Sequence, residues 1–308
     1  MIGAILTGGY GKRMQGLSQD MPKNLLQLRD GYTILDRQLR DFKAAGVDEV
    51  YLLTGYKGEM IEKMFGERWN GISLRYLREE KPMGTLWSVR NLFNHVQEDV
   101  ILRNGDTVCD IYIGDIVDFS LSQGKAATVV AVKMRSPYGI LSIRGREVTG
   151  FREKPVLNHY INAGTYYLKE RVRKYIELEY EGKDIENTLF SRLADESELS
   201  AFKYNGFWRS VDSLKDYEDL RNIYSARVDY YFGYEENVND SHVYHVMRNR
   251  KLKVKGSGMM SIVDGNVVLN GKSVKGRGRV EVMDGDELEI IRESVIEFSS
   301  SVKIEQLS

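Results

Sequence analysis

Cysteine is nearly absent from this chain: Cys109 stands alone, so no disulfide can close within it, and a reducing, cytoplasmic setting fits that usage. Four histidines and one cysteine are too few to expect a His/Cys zinc centre. Any catalytic metal would have to sit on carboxylates, which points to Mg²⁺, with Mn²⁺ as the alternative. Neither sign of charge dominates. Lys plus Arg total 44 against 45 acids, a formal net charge of -1, so overall charge gives no reason to expect a nucleic-acid partner. No apolar run approaches the roughly 20 residues that span a bilayer, and no membrane partner is expected. Met1 to Leu6 is apolar but runs straight into Gly8 and Gly9, without the core and cleavage site of a signal peptide. What is present is enough for a core. Hydrophobic residues make up 42% of 308, and the length suits one large domain plus a small one.

The first half alternates short apolar runs with helical spacing. Ile2 to Leu6, Glu49 to Thr54, Ser73 to Leu77 and Asp99 to Arg103 read as strands. Between them Ile34 to Phe42, Gly58 to Phe65 and Leu86 to Phe93 read as helices, with Gly46 stopping the first. That rhythm predicts βαβ units and a mainly parallel sheet flanked by helices. Past residue 125 come candidate strands at Thr128 to Val132, Ile140 to Ile143 and Gly164 to Leu168. Helices are expected near Arg171 to Leu178, Ile185 to Ala194 and Leu214 to Tyr224. Residues 229–250 are rich in Tyr, Asn and His without clear period and read as a connector. From 251 to 308 short strands alternate with turns, and Asp264-Gly265 and Asn270-Gly271 are hairpin signals. The expected organisation is therefore a domain over 1–228, a connector over 229–250 and a small all-β module over 251–308.

The first strand ends in Thr7-Gly8-Gly9-Tyr10-Gly11-Lys12-Arg13. Glycines let backbone N–H groups close on an anion, and the two cations add charge. A P-loop needs GxxxxGK[ST], which is missing here. A dinucleotide fingerprint from Gly9 would need Gly or Ala where Met14 stands. Pro22-Lys23-Asn24-Leu25-Leu26 follows, its Lys23 ten residues past Arg13. Strand, GGxGxR and then PK with apolar residues resembles the nucleoside-diphosphate-sugar pyrophosphorylase family, over roughly residues 1–225. Asn24 stands where that family usually has Pro.

The resemblance implies a Rossmann-like, glycosyltransferase-A-like sheet and a set of roles. Leu6, Gly8, Gly9 and Gly11 would wrap the triphosphate, Arg13 would hold the leaving pyrophosphate, and Lys23 would reach the reacting phosphates. Read alone, Lys23 is an ordinary surface lysine. Asp106 follows the strand Asp99 to Arg103, at the edge where open α/β sheets bind ligands. Asp212, in Trp208-Arg209-Ser210-Val211-Asp212, matches the family's second acidic motif more loosely. By resemblance the two aspartates hold the metal, although a lone Asp at a strand end is more often a turn former. Gly55 and Tyr56 match a segment near the nucleobase, and Gly84 and Thr85 a loop before a helix whose N-terminus faces the nucleotide. Thr85 could equally be a simple N-cap. Gly139, Glu153, Asn162 and Gly164 match the sugar pocket, and Lys154 the sugar-phosphate contact.

The activity so implied is transfer of a nucleoside monophosphate from an NTP to a sugar 1-phosphate, with pyrophosphate released. Phosphate is already a competent nucleophile, so positioning and charge neutralisation suffice. Two rivals share the fold: a nucleotide-sugar-dependent glycosyltransferase and a non-catalytic nucleotide-sugar-binding paralogue. Neither nucleotide nor sugar is named by the sequence. The C-terminal module suits a homo-oligomer contact or a protein partner, and an inert structural cap equally well.

Overall fold

Every residue of β1 (Ile2–Leu6) is apolar or glycine, and alternate positions serve opposite faces. The computed structural model describes residues 1–9, 21–176, 184–230, 233–238, 241–274, 279–299 and 301–307. In it Ile2 and Ala4 join one hydrophobic cluster and Ile5 another. A strand buried on both faces is what a helix-covered parallel sheet requires. Gly3 is forced by that packing: a Cβ there would lie 2.9 Å from the Phe42 ring.

The chain then runs through α1 (Ile34–Ala44), β2 (Glu49–Thr54), α2 (Gly58–Phe65), β3 (Arg68–Trp69), β4 (Ile72–Arg78), α3 (Thr85–His95) and β5 (Val100–Asn104). It continues with β6 (Thr107–Cys109), α4 (Ile113–Gln123), β7 (Ala127–Arg135), β8 (Ile140–Arg144), β9 (Glu147–Arg152) and β10 (Val156–Leu168). Last come β11 (Leu199–Tyr204), β12 (Trp208–Ser210) and α5 (Leu214–Ser225). Eight strands form one sheet in the order β11-β7-β10-β5-β1-β2-β4-β3. The pairs β1–β2, β1–β5, β2–β4 and β7–β11 are parallel. Strand β10 enters antiparallel between β5 and β7, and β3 closes the other edge antiparallel. The mainly parallel α/β sheet is thus observed, with one inverted strand inside it. Helix α3 packs on one face through Leu86, Val89, Leu92 and Phe93. Helices α1, α2 and α4 cover the other through residues such as Leu39, Ile61 and Ile116. Helix α1 starts on a capping box, in which the Thr33 hydroxyl accepts from the Asp36 N–H while the Asp36 carboxylate accepts from the Thr33 N–H.

Two expected helices come out differently. Arg171 to Leu178 is a 3₁₀ turn, Glu170–Val172, leading into a four-residue helix, Arg173–Ile176, beyond which the expectation lies outside the described residues. Ile185 to Ala194 is a π-helical turn, Glu186–Phe190, followed by the short helix Ser191–Asp195.

The chain divides into two compact units, Met1–Leu26 with Thr33–Asp216, and Gln27–Tyr32 with Tyr217–Ser308. The second is an antiparallel sheet of β13 (Arg227–Tyr230), β14 (Gly233–Val238), β15 (Ser241–Val246), β16 (Arg250–Lys255), β17 (Gly258–Leu269), β18 (Lys272–Val274), β19 (Arg279–Val282), β20 (Glu287–Ser299) and β21 (Lys303–Gln306). Residues 229–250, expected as a connector, therefore carry strands. Tyr244 and Val246 belong to that unit's own core. Asp264-Gly265 is not a hairpin turn either. Strand β17 continues through it, with register shifts against β20 on both sides, and Gly265 at φ +112 is an irregularity within the strand. Asn270-Gly271 is the expected hairpin: both residues have positive φ, 48° and 77°, between the paired Leu269 and Lys272. Among the described residues no helix is long and apolar enough to cross a membrane.

Candidate active site

The carboxyl ends of β1, β2, β4 and β5 share one edge of the parallel sheet, and a cavity of about 320 Å³ opens there. Leu6, Gly8, Gly9, Lys23, Gly84, Thr85 and Asp106 all line it, as the sequence had led one to expect of a single site. Gly11 and Arg13 lie outside the described residues. The two described glycines have different physical reasons. A Cβ on Gly8 would crowd the Glu79 carboxylate, 3.1 Å from Oε1, while its 3.4 Å distance to the Gly55 nitrogen is an ordinary contact. A Cβ on Gly9 would meet nothing within 4 Å, so protein packing does not crowd that position. Open space over a glycine backbone suits a ligand that must come close.

Lys23 stands between the two aspartates. Its Nζ donates to the Val211 carbonyl at 2.9 Å and to Asp106 Oδ2 at 3.4 Å, and lies 3.7 Å from Asp212 Oδ1. Two distant segments are thereby joined at one cation. Strand β12 pairs with β6 so that Ser210 faces Thr107, and the Val211 N–H donates to the Asp106 carbonyl at 2.9 Å. The Ser210 hydroxyl donates to Asp212 Oδ2 at 2.8 Å. Burial raises the Asp106 pKa above the usual carboxylate range; Lys23 opposes that rise and the Asp212 charge adds to it. Two carboxylates converging on a cation position are hard oxygen donors of the kind a divalent ion takes together with substrate phosphates. No group of three or more potential ligands occurs among the described residues, so substrate oxygens and water would complete such a site.

The turn that presents Asp106 is clasped from below. Gln38, on α1 and fully buried, donates from Nε2 to the carbonyls of Asn104 and Thr107, both at 2.8 Å. Gly105 donates to the Leu6 carbonyl at 2.9 Å, and a Cβ on it would lie 2.5 Å from that oxygen. Deeper in, Arg103 on β5 donates to Asp41 Oδ2 at 2.6 Å, and Arg37 contacts Asp41 Oδ1. Arg37 also reaches the Cys109 carbonyl at 3.0 Å and Asp110 at 3.1 Å. Arg103 donates to Cys109 Sγ, and burial holds that thiol's pKa high, so Cys109 is a packed acceptor and not a nucleophile.

Several cavity residues were not anticipated. Glu79, one residue past β4, lines this cavity and a second one of about 500 Å³ that also includes Gly55 and Tyr56. Glu79 Oε2 accepts from the Met83 N–H at 3.2 Å, and burial raises its pKa despite that bond. Its place at the sheet's ligand edge was the signal that could have found it. Asn24 is 2% exposed, lines the first cavity, and has neither amide atom hydrogen-bonded among the described residues. A buried amide left unpaired costs about 1–3 kcal/mol unless something satisfies it. Thr85 does not cap α3. Gly84 holds the N-cap position, and Thr85 Oγ1 accepts from the Ile185 N–H at 2.9 Å. That bond brings the segment with Asp184 and Glu186 to the cavity wall.

The residues assigned by resemblance to the sugar fall into two groups. Asn162 Oδ1 accepts from the Gly164 N–H at 2.9 Å, and Gly164, at φ +69, lies against the side chain of the cavity-lining Asn104. Gly139, Glu153 and Lys154 flank the β8–β9 hairpin instead and do not line the cavity. The Lys154 Nζ lies 4.0 Å from Glu153, both side chains are exposed, and a Cβ on Gly139 would sit 3.0 Å from Glu153 Oε2.

Comparison with known proteins gives the chain's relatives and its family. The chain is 32% identical over 231 residues to the mannose-1-phosphate guanyltransferase of Candida albicans, aligning 70% of this chain. It is 32% identical over 228 residues, again 70% of this chain, to the mannose-1-phosphate guanyltransferase beta-A of Xenopus laevis. The aligned part spans 62% of the length of each of these relatives. The crystal structure of HddC from Yersinia pseudotuberculosis superposes with a TM-score of 0.57 over 72% of this chain and 99% of that one, at 23% identity, a likeness of fold. Residues 2–227 match the nucleotidyl transferase family as a whole, and the chain belongs to that family.

Proposed function

We propose that this chain transfers a nucleoside monophosphate from an NTP to a sugar 1-phosphate, with GTP and mannose 1-phosphate as the first pair to test. The observation that carries the reading is that Asp106 and Asp212 both approach Lys23, and that Lys23 and Asp106 line a cavity together with Gly8 and Gly9. The relatives' names support the substrates. Glu79 supports the base: an ionised carboxylate accepts two hydrogen bonds, and guanine offers two adjacent donors, N1–H and N2–H₂. Uracil and thymine offer one donor flanked by acceptors.

In the reaction an oxygen of the sugar phosphate bonds to the α-phosphorus as the bond from that phosphorus to the bridging oxygen breaks. Pyrophosphate leaves with that electron pair. Lys23 offsets charge at the phosphates, while the Gly8–Gly9 backbone and Asn24 border the space the triphosphate would fill. Asp106 and Asp212 would hold Mg²⁺, with Mn²⁺ as the alternative. Such an ion neutralises phosphate charge and helps align the displacement. Arg13 belongs to the proposal as the pyrophosphate contact. Glu153 and Lys154 belong to it as sugar-side groups.

Pyrophosphate release should be measured for each NTP and dTTP against a panel of sugar 1-phosphates with Mg²⁺. Release that needs one NTP, one sugar phosphate and the metal, and that falls at least about 10²-fold in Asp106→Ala, is expected. Absence of release with every pair would reject the transferase and favour a protein that uses or merely binds nucleotide sugars.

A further inference from the structure

Strands β8 and β9 form a two-stranded sheet that joins no other strand among the described residues. An isolated hairpin of this kind is marginal in water. Nearly all its residues are exposed, yet four of those exposed side chains are large and apolar, in two cross-strand pairs, Leu141 with Phe151 and Ile143 with Val148. They are 47%, 64%, 63% and 58% exposed. Cross-strand partners share a face, and Leu141 and Ile143 are two residues apart, so all four stand on the same side. Val148 and Phe151 are three residues apart and would face opposite ways in a regular strand. The register shift between Ser142 and Ile143, which leaves Thr149 as an extra residue in β9, is what aligns them.

The outer edge of β9 has a chemical order that is complementary to its own reverse. Glu147-Val148-Thr149-Gly150-Phe151-Arg152, laid antiparallel on a second copy about a two-fold axis, sets Glu147 of each copy against Arg152 of the other. It also sets Val148 against Phe151, twice. Such an axis, perpendicular to the sheet, requires residues brought opposite each other to lie on one face. The bulge meets that condition and a regular strand would not. A bulge usually blunts an edge against pairing. Here the second copy carries the same offset, so the two edges match. We propose that this chain forms a two-fold dimer by pairing β9 with β9 of a second copy, giving a four-stranded sheet. The pairing covers part of Val148 and Phe151, completes two ion pairs, and supports the hairpin with a third and fourth strand. Neither Glu147 nor Arg152 makes an ion pair within its own chain among the described residues. Arg152 immediately precedes Glu153, so the dimer edge also borders the Glu153–Lys154 segment. The inference does not depend on the proposed reaction, because its readout is mass.

Light scattering on the full chain at micromolar concentration should give at least twice the 35.4 kDa of one chain. Glu147→Arg sets Arg against Arg, and Arg152→Glu sets Glu against Glu, so each variant alone should halve the wild-type mass. An equal mixture of the two variants restores opposite charges at both contacts and should recover the wild-type mass. That recovery would also show that both variants fold. A wild-type protein of one chain's mass overturns the proposal. So does an oligomer that both reversals leave intact, or a mixture that stays at half mass.

Discussion

Asp41 is 2% exposed and receives two guanidinium groups, Arg103 at 0% and Arg37 at 3%. Asp41→Asn keeps the shape of the side chain and removes its charge. One of the two oxygens becomes an NH₂ group facing a guanidinium N–H, so one arginine loses its acceptor on residue 41 and the other keeps only a neutral one. Each lost charge-assisted hydrogen bond is worth about 1.5–3 kcal/mol. Removing one member of a buried ion pair typically costs about 3–5 kcal/mol, because the surviving charge stays desolvated. Arg37 still has Asp110 and the Cys109 carbonyl, which argues for the lower part of that range. Trp69, Trp87 and Trp208 all fall in the first unit, so tryptophan fluorescence during urea unfolding reports on the unit that contains Asp41. With a slope of about 3 kcal/mol/M, a loss of about 3 kcal/mol moves the midpoint down by about 1 M. A shift below about 0.3 M at unchanged slope would refute the idea that this charge cluster supports the floor beneath the Asp106 turn.

Two other outcomes follow from the site. Lys23→Met removes the cation that meets both aspartates, and steady-state assays should show kcat reduced by about 10²–10³-fold with the fold intact by circular dichroism; a fall under tenfold would remove Lys23 from the reacting centre. Burial raises the Glu79 pKa above its ordinary value of about 4.3. Guanine needs the ionised acceptor, so guanine-nucleotide affinity measured by calorimetry should be full above the raised pKa and decline as pH falls through it. The unliganded protein should respond in the opposite sense. The folded state holds this proton more tightly than the unfolded chain, so the Glu79 contribution to stability improves as pH falls from the folded pKa towards the unfolded one. Glu79→Gln should abolish both trends, and an affinity-versus-pH curve that this substitution leaves unchanged would exclude Glu79 from the base pocket.

What could be read from sequence was what depends on one face of one element. The strand Glu49–Thr54 and the helix Gly58–Phe65 have the bounds their spacing predicts, because burial on the sheet dictates their apolar positions. Asp106 was legible because the carboxyl edge of a parallel strand is a place defined by topology. Glu79 occupies the same edge after β4, but an acid beside Glu80 and Lys81 looks like solvated surface until the fold closes over it. Arg37, Gln38 and Asp41 were invisible for a related reason. Their burial is made tolerable by partners far along the chain, and Gln38 to Thr107 is a separation of 69 residues that periodicity cannot register. Residues 229–250 failed as a strand signal in the same way. Tyr230 and His242 both use Glu235, so polar aromatics take inward-facing places that an alternation rule reserves for Val or Ile. Asp264-Gly265 failed differently, because a glycine with positive φ serves a bulge as well as a turn, and only the 13-residue partner β20 decides between them. Gln38 and Asp41 in the first unit and Glu235 in the second sit where a second segment must already be in place. The aspartates of the site are therefore readable one by one, while the cation they share emerges only when β12 is laid beside β6.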